Sequence, residues 1–244
     1  MIIALCIVVM NRLADLRKSL PKTIEAANQS APVQIVILDY DSKDNLATYV
    51  AGIQKSDYLA SPNQLIYVKS SNHQFFSISH SRNLAALASD GDYIVILDAD
   101  ISPKLNFVTT IRTFLVQEKP VWMCEEGGKA DGGMPAGHIF VCKRDEFVAS
   151  GGYDERFNVC GPEDKDICMR MHMRGGKFRT FPKDIYTEEY TSPRQKVRNL
   201  NREGYDGKGY CGKLVMSRAM RVFYKENLDN HVLVANVGKE WGVL

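Results

Sequence analysis

Apolar positions along the chain fall into short unbroken runs separated by stretches with a helical period. Ile2 to Met10 is apolar throughout and predicts a buried strand. Leu16, Leu20, Ile24 and Ala27 recur at helical spacing and predict a helix from Leu13 to about Ala27. After Pro32 a second apolar run, Val33 to Leu38, ends at Asp39. Strand, helix, strand is the rhythm that builds a parallel sheet. A third strand is expected at Leu65 to Val68, a helix from about Ser79 to Ala88, and a strand at Tyr93 to Leu97 that stops at Asp98. Runs without polar alternation are what strands covered on both faces require.

The second half changes character. Gly127, Gly128, Gly132, Gly133 and Gly137, with Pro135, predict a flexible loop before a strand at His138 to Cys142. A short helix at Arg144 to Ala149 is expected to stop at the Gly151-Gly152 pair. Another helix starts near Glu163 and ends before Gly175-Gly176, and Val215, Ala219, Val222 and Phe223 give residues 212–225 helical spacing. These patterns predict one α/β domain with a mixed, mostly parallel sheet flanked by helices. Within it, residues 1–105 would bind a nucleotide, 106–190 would complete the site, and 191–244 would form a basic helical tail.

Composition narrows the class of protein. With 244 residues, 45% hydrophobic and 25% charged, the chain can bury a substantial core. A net charge of +2 creates no field that calls for nucleic acid, and no nucleic-acid partner is expected. Basic residues do recur from Arg194 to Lys225, either as a solvated surface or as a patch for anionic glycans or peripheral contact with a membrane. Cys6, Cys124, Cys142, Cys160, Cys168 and Cys211 show no metal-site spacing, and several lie in apolar stretches. That usage fits a reducing cytoplasm. The opening apolar run lacks the flanks of a signal peptide and is too short to span a bilayer, so a soluble protein is expected.

Candidate chemistry gathers where strands end, the usual ligand edge of an open α/β sheet. Asp39 follows the second strand, and Asp98 and Asp100 follow the fourth as an Asp-x-Asp pair. An aspartate at such a place also serves as a turn cap. Two acids converging after one strand also suit a hard divalent cation, Mn²⁺ or Mg²⁺, shared with substrate phosphates. Arg82 and Asn83 open the helix before that strand, where an arginine can clamp phosphate. Glu163 and Asp164 begin a later helix. There they complement the helix dipole, or supply a base to a hydroxyl within hydrogen-bond reach. Trp122 reads as a buried aromatic or a sugar contact, and His80 and His138 as structural polar residues.

Together these segments resemble the GT-A glycosyltransferases, particularly family 2 and relatives with a galactosyltransferase-type C-terminal module. The likeness covers most of residues 1–190 and rests on particular motifs. Val8-Val9-Met10-Asn11-Arg12 is similar to the family's first strand and Asn-Arg turn, and Leu38-Asp39-Tyr40-Asp41-Ser42 to its Val-Asp-Asp-Gly-Ser segment. Ser81-Arg82-Asn83 resembles its Ala-Arg-Asn element. Gly151-Gly152-Tyr153-Asp154-Glu155-Arg156-Phe157 followed by Glu163-Asp164-Lys165-Asp166 is the most specific match.

The resemblance implies a Rossmann-like GT-A fold and a metal-dependent, inverting transfer from a UDP-sugar. The acceptor would be a hydroxyl of a glycan, a lipid-linked glycan or a protein. It implies that Val9, Asn11, Asp39, Arg82 and Asp98 bind the donor nucleotide, that Glu163 binds the acceptor and that Asp164 is the general base. Asp98 and Asp100 would hold the metal. The family's histidine ligand and the tryptophan before Glu-Asp have no counterparts, and Glu188 or, preferably, Glu189 would stand in for the histidine. The glycine-rich loop would be a lid over the donor or a plain surface loop. A nucleotide-sugar-binding module without turnover is the alternative. A sugar nucleotidylyltransferase is disfavoured, because the turn after the first strand lacks glycine.

Overall fold

The computed structural model describes residues 1–127, 139–157, 162–188, 225–227, 229–230, 232–238 and 240–242. The first half alternates strand and helix: β1 (Ile3–Val9), α1 (Leu13–Asn28), β2 (Val33–Tyr40), α2 (Leu46–Gln54), β3 (Gln64–Ser70), α3 (Ile78–Leu87) and β4 (Tyr93–Asp98). There follow β5 (Ile101–Pro103), α4 (Phe107–Gln117), β6 (Trp122–Glu125), β7 (Phe140–Lys143), α5 (Arg144–Ala149), α6 (Glu163–Met173), β8 (Phe178–Phe181) and β9 (Tyr186–Glu188).

Seven strands form one sheet in the order β3-β2-β1-β4-β7-β6-β8. β7 runs antiparallel to both of its neighbours, and the other pairings are parallel. β5 and β9 make a separate antiparallel pair. The expected α/β class with a mostly parallel sheet is therefore what the chain adopts.

The unbroken apolar runs have a direct cause. Ile3, Leu5, Ile7 and Val9 of β1 pack into the core under α1 and α4, while Ala4, Cys6, Val8 and Met10 pack into the opposite core with α3 and α6. Both faces are dry, so polar alternation has no place in this strand. Burying a side chain such as Leu or Ile contributes about 1.5–3 kcal/mol relative to leaving it exposed. A charge in the middle of β1 would forfeit that on either face. Trp122, fully buried in β6, belongs to the second core and not to a sugar-facing surface.

Several elements exceed what the hydrophobic pattern predicted. α4 carries Val108, Thr109, Thr110, Ile111 and Thr113, β-branched residues that weaken helix propensity. Burial of Phe107, Val108, Ile111 and Leu115 overrides that tendency. β5, β6, β8 and β9 are three or four residues long, too short for periodicity to reveal. α3 starts at Ile78, one turn before Arg82, so Arg82 and Asn83 lie inside the helix and act through their side chains, not through free helix N–H groups.

Of the expected glycine-rich lid (127–137) all but Gly127 lies outside the described residues, as do His138, Glu189, the basic run up to Tyr224, Cys160 and Cys211. Cys6, Cys124, Cys142 and Cys168 are buried free thiols. No helix among the described residues is long and apolar enough to cross a membrane.

Candidate active site

Strand register brings the acids to one edge. Val9 of β1 lies beside Asp39 of β2, and Val8 lies beside Asp98 of β4. Three neighbouring strands thus end at the same level, and the turns after them meet.

Two of those turns are stitched together by Asn11. It adopts a left-handed backbone (φ 53°), a conformation that asparagine tolerates better than most residues. Its N–H donates to Ser42 Oγ at 3.0 Å, and its Oδ1 accepts the Lys43 N–H at 2.6 Å. Arg12, at the N-cap of α1, makes no side-chain cap bond; Asp44 from the neighbouring turn accepts the Leu13 N–H at 3.0 Å instead. Val9 contributes its carbonyl, which accepts Ser42 Oγ–H at 3.5 Å.

Asp39 is buried, and its carboxylate is partly engaged. Oδ1 accepts the Ser42 N–H at 2.7 Å, the turn-capping role open to any aspartate at a strand end. Oδ2 accepts the Tyr67 hydroxyl at 2.5 Å. Burial, and then this bond, hold the Tyr67 phenol above its ordinary pKa.

The central feature is Arg82, 1% exposed on α3. Its Nη1 reaches Asp164 Oδ1 at 2.6 Å and Glu163 Oε1 at 3.4 Å, and its Nη2 reaches Asp98 Oδ1 at 3.2 Å. The Tyr153 ring lies 5.3 Å from the guanidinium carbon, close enough for a cation–π contact. Burial opposes the charge on Arg82, but Asp164, Tyr153, Asp98 and Glu163 outweigh it and hold the guanidinium well above its ordinary pKa. One guanidinium is thus shared among three carboxylates from α6 and the end of β4.

Asp100 pairs elsewhere, with Arg12 Nη2 at 2.8 Å. Asp98 and Asp100 supply hard oxygen donors, and no group of three or more metal-binding side chains is assembled among the described residues. This donor set fits Mg²⁺ or Mn²⁺ held by two carboxylates and completed by substrate phosphates, not an all-protein cage. β9 pairs with β5 so that Glu188 stands opposite Ile101, the residue after Asp100. The favoured third ligand, Glu189, follows it outside the described residues.

The remaining motif residues build the frame. Asn83 Nδ2 donates to the Tyr153 carbonyl and to Glu155, each at 2.9 Å, and its Oδ1 accepts the Tyr153 N–H at 2.8 Å. Gly152 (φ +63°) approaches so closely that a Cβ there would lie 2.5 Å from Asn83 Oδ1. Asp166, fully buried, pairs with Arg170 at 2.8 Å and accepts from Asn227 at 2.6 Å. Arg170 in turn donates to the Ser150 and Gly152 carbonyls at 3.0 and 2.7 Å. The two aspartates of Glu-Asp-x-Asp therefore differ: Asp164 joins the acidic cluster, while Asp166 ties α6 to the glycine turn. His80 forms a 2.8 Å hydrogen bond with Tyr40, and His73 stacks on Tyr40 at 3.8 Å, a local aromatic cluster.

Tyr67 and Asn227 were not singled out from sequence, and Arg12 and Asn83 were named there only within motifs, without the partners they hold. For Arg12 a signal existed: an arginine directly after a buried strand, with Asp15 three residues on. Asn227 lies 61 positions from Asp166 and gave none.

Comparison with known proteins bears on this geometry. A family model described as glycosyl transferase family 2 matches residues 4–131, and one described as the N-terminal domain of galactosyltransferase matches residues 129–196. The comparison with curated proteins found no match. Among solved structures, TarS 1–349 of S. aureus in complex with UDP aligns with a TM-score of 0.61 at 13% identity, over 81% of this chain and 63% of that one. The same TarS fragment with UDP-GlcNAc aligns at 0.61 and 13%, over 81% and 64%. A mannosyltransferase, PcManGT from Pyrobaculum calidifontis, in complex with GDP-Man and Mn²⁺, aligns at 0.62 and 17%, over 78% and 57%. The chain thus spans less than two thirds of the length of these three structures, which share its fold.

Proposed function

The chain belongs to glycosyl transferase family 2, and from that membership and the acidic site we propose that it transfers a sugar from a nucleotide-sugar donor, a UDP-sugar, to a hydroxyl acceptor. The observation that carries this reading is Arg82, whose guanidinium bonds Asp98 on one side and Glu163 and Asp164 on the other. Asp98 at the end of β4 and the α6 acids thereby share one guanidinium, which supports a site where two substrates meet. Fold relatives with UDP, UDP-GlcNAc, or GDP-Man and Mn²⁺ support a nucleotide-sugar donor and a divalent cation.

In this reading Asp39, Val9 and Asn11 line the nucleoside pocket at the ends of β1 and β2. Asp98 faces the ribose and, with Asp100, holds the cation, with Glu189 as a further ligand. When bound, a divalent cation supplies Lewis-acid stabilisation of charge on the diphosphate leaving group. Arg82 faces the donor phosphates and orients Asp164. Asp164 accepts the proton of the acceptor hydroxyl as that oxygen attacks the anomeric carbon, giving inversion in a single displacement. Glu163, beside it and buried, positions the acceptor. Such an acceptor is a glycan, a lipid-linked glycan or a protein hydroxyl.

The test is a panel of nucleotide sugars with Mn²⁺, scored for release of nucleoside diphosphate and then for transfer to acceptors. Turnover of one donor well above the others is the expected result. Tight nucleotide binding without hydrolysis or transfer of any donor would instead make the chain a binding module.

A further inference from the structure

The turn after β1 carries a cation for which the proposed reaction has no use. Arg12 reaches across to Asp100, Nη2 to Oδ2 at 2.8 Å, while its Nε donates to Asp15 Oδ2 at 2.9 Å. The acids of the Asp-x-Asp pair are consequently unlike. The Asp98 side chain is 30% exposed, whereas that of Asp100 is 7% exposed and masked by a guanidinium itself only 16% exposed.

We propose that Arg12 is an internal counter-cation that latches Asp100, so that a divalent cation gains this ligand only when it arrives together with a nucleoside diphosphate. The inference rests on Asp98 and Asp100 being the cation-holding pair. A metal ion alone that takes Asp100 Oδ2 displaces Arg12 from it, and parting a largely buried ion pair is costly even though Asp15 still holds the guanidinium. A diphosphate brings negative charge that compensates the released guanidinium. Metal and nucleotide then bind with positive coupling, which is reciprocal by thermodynamic necessity. Asp15 sets the tension of the latch, because it shares the same guanidinium.

The experiment measures Mn²⁺ binding to the full chain by calorimetry and by the electron paramagnetic resonance of bound Mn²⁺, with and without UDP. Arg12→Gln is expected to tighten binding of Mn²⁺ alone about tenfold and to shrink its coupling to UDP, within the usual range for linked sites. Arg12→Lys, which keeps the charge, should stay near the wild type. Asp15→Asn gives Asp100 a larger share of the guanidinium and should weaken Mn²⁺ binding, so it carries the test if Arg12→Gln does not fold. Unchanged or weaker Mn²⁺ binding in folded Arg12→Gln, or unchanged binding in Asp15→Asn, overturns the latch while leaving the proposed site intact. Absence of Mn²⁺ binding in every protein, even with UDP, overturns the site itself and the latch with it.

Discussion

Arg82 on α3 donates to Asp164 on α6 at 2.6 Å, across 82 positions of sequence. Since Arg82 also bonds Asp98, it links the end of β4 to α6, and the bond occurs where water is largely excluded: the Arg82 side chain is 1% exposed and that of Asp164 19%. A charge-assisted bond of this kind fixes the carboxylate's orientation as well as its charge.

Removing Arg82 should therefore do more than weaken a substrate contact. Arg82→Met leaves Glu163, 2% exposed, without its buried cation. Breaking such a pair costs on the order of 3–5 kcal/mol. Urea denaturation should show a loss of that size. Arg82→Lys should recover part of it, since a lysine is a point charge and cannot reach three carboxylates with a fixed fork.

Asp164→Asn tests the base directly. Asparagine keeps the size and one oxygen facing Arg82 but cannot take a proton at that position. Turnover is expected to fall by about 10²–10⁴-fold, the usual contribution of a positioned base. UDP affinity, read by calorimetry, should hold. Undiminished turnover would remove Asp164 from the mechanism.

Asp100→Ala separates the metal from the base. UDP should bind the wild type more tightly with Mn²⁺ than without it, and in Asp100→Ala that difference should largely disappear. The weaker, metal-free affinity should remain, because Asp39 and Asn11 hold the other end of the donor in the proposed site.

Much of the architecture was legible because the strands nearest the site are covered on both faces. β1, β2 and β4 announce themselves as solid apolar runs, and their ends at Asp39 and Asp98 mark the ligand edge. What the sequence concealed is pairing. Nothing local says that Asp100 is held by Arg12 and Asp98 by Arg82, or that Asp44 serves the start of α1 from another turn. Those partners are chosen by register and by the level at which the strands end, and such information is distributed over the whole sheet. The short strands β5 and β9 were hidden for the same reason: a three-residue strand has no period, and only its partner defines it.

The glycine turn offers a test of the frame without touching an acid. Gly152 holds φ +63° with Asn83 Oδ1 at 2.5 Å from where a Cβ would stand. Gly152→Ala meets both a backbone conformation costly for alanine and a contact that must give way. A loss of about 1–3 kcal/mol is expected from the backbone conformation alone. Because Asn83 neighbours Arg82, turnover should fall alongside stability.

Asp166 supplies the sharpest contrast, since it lies two residues from the proposed base and carries the same charge. Its carboxylate is fully buried against Arg170, which in turn grips the Ser150 and Gly152 carbonyls. Asp166→Ala strands the Arg170 cation in the core and deprives Asn227 of its acceptor. The expected cost is about 3 kcal/mol or more in unfolding free energy. The protein that remains folded, assayed well below its melting temperature, should keep its turnover within a few-fold. Asp164→Asn should do the reverse, with little lost in stability and most of the rate gone. If both substitutions reduce turnover by the same factor, the division of labour along the first turn of α6 is wrong, and the acids there act as one electrostatic unit.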